Sequence, residues 1–144
     1  MQNQKQLNLT KEYLKSYEDA VYRVKRCELR LNEIRLNRMY PSVVNDGMPH
    51  VHSNNDLSSY AALLEREEKR YAKAKRECVE TYEKLTGSIE QLKNEKEKDV
   101  LTCRYIRLMR WYDICDEMGC SLQHVYRIHT KALENLTMRV NESK

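Results

Sequence analysis

Residues 111–136 read WYDICDEMGCSLQHVYRIHTKALENL, and this stretch decides the fold predicted for the chain. Apolar side chains recur here at helical spacing, first up to Met118 and then again from Leu122 onward. Gly119 interrupts the pattern, and Ser121 is a residue type that often caps the start of a helix. The stretch therefore predicts two helices joined by a three-residue turn, which is the order of a helix-turn-helix.

The composition of the whole chain also favours helices. Of its 144 residues 33% are charged, only 3 are glycine and 2 are proline, and none is phenylalanine. A sheet protein needs more glycine-bearing turns and more Val/Ile runs, so we expect an all-α fold. The net charge is +4 without a polycationic tail, so any nucleic-acid binding must come from the local placement of charge.

The first part of the chain predicts two long amphipathic helices. The first is expected to begin at a Thr10 cap and to end near Met39, just before a proline. Residues 41–56 contain both prolines and several Asn/Asp residues, which predicts a loop. Asp56 is the expected cap of the second helix, and Gly87 is its expected left-handed C-terminal residue.

These helices divide the chain into two predicted domains. Residues 1–87 form a long antiparallel hairpin or a coiled coil used for dimerisation or partner binding, and separated arms on a partner protein are the alternative. Residues 88–144 form the helix-turn-helix domain, with Ser88 expected to cap its first short helix.

The C-terminal part resembles a known DNA-binding module. Arg104-Tyr105-Ile106, the 111–125 pattern with Met118-Gly119-x-Ser121, and Lys131-Ala132-Leu133 together resemble the fourth region of bacterial sigma factors. Cys115 stands where that region usually has Ala, and Tyr112-Asp113 replaces the usual Glu-Glu. The other promoter-reading regions have no counterpart here, so the resemblance implies a regulator rather than a complete sigma factor.

A second resemblance covers most of the chain. Residues 46–49 (DGMP) and 55–61 (NDLSSYA) are similar to those of a family of small proteins from phages and prophages of Gram-positive bacteria. That family resembles the ArpU and RinA late-gene regulators in its plan. The resemblance implies a helical N-terminal half followed by a sigma-like helix-turn-helix.

In a helix-turn-helix the second helix enters the major groove and its first turns meet the base edges. Gln can pair with adenine and Arg with guanine through two hydrogen bonds. The predicted base contacts are Gln123, His124, Arg127, Tyr126 and Ser121. The predicted contacts to the DNA backbone are Arg104, Arg107, Arg110 and Lys131.

Other notable side chains are expected to serve packing. Trp111 precedes Ile114 and Cys115 at the spacing of a buried stripe, so we expect it in the core. His129 lies beside the same apolar face and is expected to be partly buried. The tyrosines of the first two helices also fall on or beside apolar stripes, which favours helix packing over base stacking.

Neither catalysis nor a cofactor is predicted. The C-x4-C-x3-H-x4-H spacing of Cys115, Cys120, His124 and His129 is unlike a zinc motif, and His50-x-His52 has no neighbouring cysteine. The five cysteines lack a disulfide pattern and lie mainly in apolar stripes, where thiols are unreactive. The chain also lacks a phosphate-binding glycine loop, so we expect no enzyme activity and no metal.

The sequence thus predicts a DNA-binding transcription regulator of a phage or prophage, acting on late genes. Its expected partners are double-stranded DNA, a second copy or more of itself, and in one interpretation host RNA polymerase. A DNA-packaging or assembly protein and a sigma-like adaptor that binds polymerase remain as alternatives. No membrane span or export signal is apparent, so a cytoplasmic location is expected.

Overall fold

A computed structural model describes residues 2–39 and 54–142, with side-chain burial for 2–37 and 57–137. This part of the chain is helical without any strand, which confirms the predicted all-α class. The elements are α1 (Gln2–Met39), α2 (Asn54–Glu90), α3 (Glu95–Leu101), a π-helical turn (Thr102–Ile106), α4 (Trp111–Met118) and α5 (Leu122–Glu142). None of the described helices has a stretch apolar and long enough to span a bilayer.

The first helix begins earlier than its predicted cap. Thr10 lies inside α1, where its hydroxyl donates to the Gln6 carbonyl over 3.0 Å, so the prediction of an N-cap at Thr10 is wrong. Leu7, one turn before Thr10, packs against a buried core cluster. This tertiary contact stabilises a polar segment whose own pattern does not predict a helix. The described part of α1 extends to Met39, and the residues that follow, where the sequence predicts its end, lie outside the described residues.

The second helix also extends past both of its predicted ends. It starts at Asn54, so Asp56 lies within it, and it continues through Gly87 to Glu90. The predictions of Asp56 as the cap and Gly87 as the left-handed end are therefore wrong. Leu85 and Ile89, on either side of Gly87, are buried at 0% and 1% exposure. Their packing outweighs the roughly 1 kcal/mol that glycine costs inside a helix.

Ser88 belongs to the same continuous helix. Its hydroxyl donates to the Lys84 carbonyl over 3.0 Å instead of capping a new helix, so that prediction is wrong as well. The predicted boundary between residues 87 and 88 thus falls inside α2. Most of the predicted 41–56 loop, residues 41–53, lies outside the described residues.

The two long helices form the antiparallel hairpin rather than separated arms. Tyr13 shares a hydrogen bond of 3.1 Å with Ser88, and further along the hairpin Arg23 pairs with Glu77 at 3.4 Å. Beyond these, the 2% exposed Glu67 is paired with Arg30 at 3.4 Å and with Arg70 at 3.2 Å. The apolar stripe of α2 tolerates this acidic residue because an arginine from each helix pairs with the buried Glu67 carboxylate.

Two apolar clusters hold the helices together. The first joins the base of the hairpin to α3, the π-helical turn and α5, and it consists of Leu14, Leu85, Ile89, Leu92, Leu101, Tyr105, Ala132, Leu133 and Leu136. The second lies between α3, the π-helical turn, α4 and α5, and it consists of Val100, Cys103, Ile114, Val125 and Ile128. The first cluster therefore contains residues from both predicted domains.

Candidate nucleic-acid interface

The turn between α4 and α5 lies at the residues where the sequence predicts it. Gly119 adopts a left-handed conformation with φ 64°, and its N–H donates to the Cys115 carbonyl. Ser121 caps α5, because its hydroxyl oxygen accepts the His124 backbone N–H at 3.2 Å. The sequence predictions of an end at Met118 and a start after Ser121 are confirmed.

The inner side of α5 is closed by apolar packing. Val125 and Ala132 are 0% exposed and Ile128 is 9% exposed. Val125 and Ile128 share their cluster with Ile114 of α4, which is also fully buried. This packing fixes α5 against its neighbours, so its outer side has one defined orientation.

The outer side of α5 carries most of the predicted base-reading residues. Successive residues turn about 100° around a helix axis, so Gln123 and Arg127 project opposite to the buried Val125 and Ala132. The exposed side chains on this side also include Thr130 and Glu134, and four of them are among the residues predicted to contact DNA: Gln123, His124, Arg127 and Lys131. We call these four residues the α5 outer face.

Two further predicted base contacts have structural roles. The Ser121 side chain is exposed, but its oxygen is used in the cap of α5. Tyr126 is 43% exposed and meets the ring of Trp111 edge-on at 5.1 Å between centroids. Tyr126 therefore borders the α5 outer face and also anchors it to α4.

The three arginines before Trp111 do not form one basic cluster. Arg104 is half-buried, donates to the Met109 carbonyl over 3.0 Å and lies over the Trp111 ring at 4.6 Å. Arg107 forms an ion pair of 3.2 Å with Glu117 of α4. The local sequence does not predict that Glu117 lies beside this arginine. Arg110 is exposed and lies just before α4, at its N-terminal cap position.

Trp111 packs against the second apolar cluster, as predicted, although its side chain is only half-buried. Its ring meets His129 edge-on at 4.8 Å and Tyr126 at 5.1 Å. With Arg104 over the ring, Trp111 joins α4 to α5 and to the π-helical turn.

A buried polar pair below this tryptophan was not predicted. The Tyr105 hydroxyl and the His129 Nε2 share a hydrogen bond of 2.7 Å, and His129 is only 8% exposed. Burial, together with the positive charges of Lys11 and Arg104, lowers the pKa of His129 to about 4. Burial also raises the pKa of Tyr105, and the charge of Arg104 partly opposes that rise. The pair is separated by 24 residues, so no local pattern could reveal it.

No metal site is found in the described part of the chain, which contains no group of three or more His, Cys, Asp or Glu side chains able to hold an ion. His129 is bound to Tyr105, and the Cys120 thiol donates to the Met118 carbonyl over 3.5 Å. Burial raises the pKa of Cys103 and of Cys78, which disfavours their thiolate forms. His50 and His52 lie outside the described residues.

These features define an all-α protein in which a long helical hairpin shares its core with shorter helices, one of which presents a polar and basic face. Residues 38–137 match the family described as protein of unknown function (DUF1492). Because the match covers more than half of the chain, the protein belongs to this family, which is phage-associated. No curated protein and no solved structure matches the chain. The closer likeness to ArpU and RinA stays a prediction.

Proposed function

We propose that this protein is a sequence-specific DNA-binding transcription regulator of a phage or prophage. The observation that carries the proposal is the α5 outer face, because its polar and basic side chains project from a helix whose other side is buried. A rigid helix with such a face fits the major groove, where sequence can be read from base edges.

The face divides into base-reading and phosphate-binding residues. Gln123 and Arg127 lie at its centre and are the main candidates for paired hydrogen bonds to adenine and guanine. His124 lies nearer the edge. Lys131 on α5 and Arg110, just before α4, bring positive charge to the flanks, where they would contact phosphates.

A role in phage late-gene control rests on two weaker supports. The family is phage-associated. The residues of the C-terminal part resemble the fourth region of sigma factors, and the plan of the chain resembles that of the ArpU and RinA late-gene regulators. The proposal therefore includes phage or prophage promoters as targets, with contact to host RNA polymerase as a second element of the mechanism.

The central experiment measures sequence preference directly. Duplexes enriched from a randomised pool by the wild-type protein would be compared with unrelated duplexes over a salt series. Arg127→Ala is expected to weaken binding to the enriched duplex by about 1–3 kcal/mol and to relax the preference at one base pair. Arg76→Ala, which removes the same charge from an exposed position on α2, is the matched control and should leave that preference unchanged.

Phosphate contacts have a different signature from base contacts. Arg110→Ala and Lys131→Ala should each weaken binding to all duplexes alike and reduce the salt slope by about one. Arg104→Ala should instead lower protein stability, because Arg104 holds the Met109 carbonyl and the Trp111 ring. A wild-type protein that binds enriched and unrelated duplexes equally would contradict the proposal.

Further measurements, which include the variants of Gln123 and Arg127, distinguish the proposed function from its two alternatives. If Gln123→Ala and Arg127→Ala leave DNA binding intact but abolish capture of RNA polymerase, the protein is a polymerase adaptor. If light scattering finds a large ring and promoter output is unchanged, a packaging or assembly role is indicated.

A further inference from the structure

The outward side of α1 carries an apolar stripe. Tyr22, Leu29 and Leu36 are 64%, 62% and 54% exposed. They follow one another at intervals of seven residues and therefore lie along one side of the helix. This side is opposite to Ala20 and Leu31, which are 4% and 2% exposed. We call Tyr22, Leu29 and Leu36 the α1 outer stripe.

The regular spacing distinguishes the stripe from scattered surface residues. A single exposed leucine is ordinary in a soluble protein, whereas apolar residues repeated every seven positions are typical of a helix that packs along another helix. Arg26, one turn after Tyr22, lies over the tyrosine ring at 5.6 Å. A positive charge is thereby held at the edge of the stripe.

The charges beside the stripe favour a second copy in antiparallel orientation. Lys25 and Arg26 precede Leu29 by about one turn, and Asn32 and Glu33 follow it by about one turn. When two antiparallel α1 helices cross at Leu29, Arg26 of each copy comes beside Glu33 of the other. Both residues are exposed, so each is accessible for this pairing.

A parallel arrangement of the same two helices is disfavoured. It places Lys25 of one copy against Lys25 of the other, and it brings Glu28 near Glu33. Like charges in these positions repel and cost association free energy. The antiparallel arrangement avoids both contacts and places Tyr22 opposite Leu36 of the second copy.

We propose that the α1 outer stripe is a self-association surface, on which a second copy of this chain packs antiparallel with Leu29 on the two-fold axis. The inference extends the proposed function, because it names the surface through which two regulators join. Leu14, at the base of each hairpin, would lie about 45 Å from its counterpart along the helices, given a rise of about 1.5 Å per residue. The two α5 outer faces would therefore sit at opposite ends of the dimer.

The first test places a charge on the proposed axis. Leu29→Lys is expected to weaken self-association at least about tenfold in sedimentation equilibrium, because two ammonium groups meet at the centre. Leu29→Glu should weaken it in the same way, and an equimolar mixture of the two variants should associate again. Val79→Lys is the matched control, since Val79 is 57% exposed on α2 and should leave association unchanged.

The second test addresses orientation. Arg26→Glu and Glu33→Arg are each expected to weaken association, and the double variant should recover it. Circular dichroism serves as the control that each variant remains helical. A wild-type protein that is monomeric at every concentration, a Leu29→Lys variant that associates as tightly as wild type, or a double variant that does not recover would overturn the proposal. The measurement uses no DNA, so failure of the proposed DNA binding is detected separately.

Discussion

At the scale of single residues, His129 has the most unusual environment in the described chain. It is bound to Tyr105 at 2.7 Å, faces the Trp111 ring, and lies near the positive charges of Lys11 and Arg104. A protonated imidazole here would lose hydration and meet two like charges. The side chain is thus held neutral and serves as a packing and hydrogen-bonding residue.

This environment predicts a pH-dependent loss of stability. The pKa of His129 is about 4 in the folded chain and about 6.5 when unfolded, so the unfolded state binds the proton first as the pH falls. Stability should be unaffected by this group above about pH 6.5 and should decline towards pH 4, by roughly 3 kcal/mol in total. Urea unfolding at a series of pH values measures the decline.

His129→Gln removes the titrating group but keeps a side chain that can bond to Tyr105, so its stability should vary less over the same pH range. His124→Gln is the matched control, because His124 is exposed on the α5 outer face, and it should behave as wild type does. Equal pH slopes for the wild type and His129→Gln would show that His129 is not held neutral.

At the scale of helices, two glycines that the sequence pattern predicts at helix ends have opposite roles. Gly119 ends α4 with φ 64°, whereas Gly87 lies inside α2. A Cβ atom added at either position meets nothing within 4 Å, so backbone conformation alone separates the two sites. The left-handed region disfavours residues with a Cβ, and a helix interior favours them.

Substitution by alanine should therefore have opposite signs. Gly119→Ala is expected to destabilise the protein by about 1–2 kcal/mol, because alanine is strained at positive φ. Gly87→Ala is expected to stabilise it by about 0.5–1 kcal/mol, because alanine is the better helix former. Thermal unfolding of both variants beside wild type checks the pair. A destabilised Gly87→Ala would mean that α2 is not continuous at this point.

At the scale of the whole molecule, the first apolar cluster ties the hairpin to the helix that carries the candidate interface. Leu14 of α1 and Leu85 of α2 are both 0% exposed in the same cluster as Leu133 and Leu136 of α5. The α5 outer face is thus positioned in part by Leu14, more than a hundred positions away in sequence. We expect the hairpin base and α5 to unfold together.

This coupling predicts a long-range effect of one core substitution. Leu14→Ala should lower the free energy of unfolding by about 2–5 kcal/mol, since it leaves a cavity in a buried cluster. Amide hydrogen exchange should become faster in α5 as well as in α1 and α2. Leu9→Ala, at a position that is 56% exposed, is the control and should change little. Faster exchange confined to the hairpin would show that the two parts unfold separately.

Much of the molecule follows from local sequence pattern. The all-α class and the turn at Gly119 and Ser121 were predictable, because apolar periodicity and capping residues act on their near neighbours. The same reasoning identified the exposed α5 outer face. It could not assign partners to Arg104 and Arg107, because the Trp111 ring and Glu117 reach them only after the chain has folded.

The sequence by itself determined the cores of the helices and which sides of them are apolar, because those properties depend on residues within a turn or two. The first turns of α1 are an exception. Tertiary structure alone decided that α2 continues past Gly87, that His129 is buried with Tyr105, and that the hairpin shares a core with α5. In each case the deciding free energy comes from burial against residues distant in the chain, and no local pattern contains it.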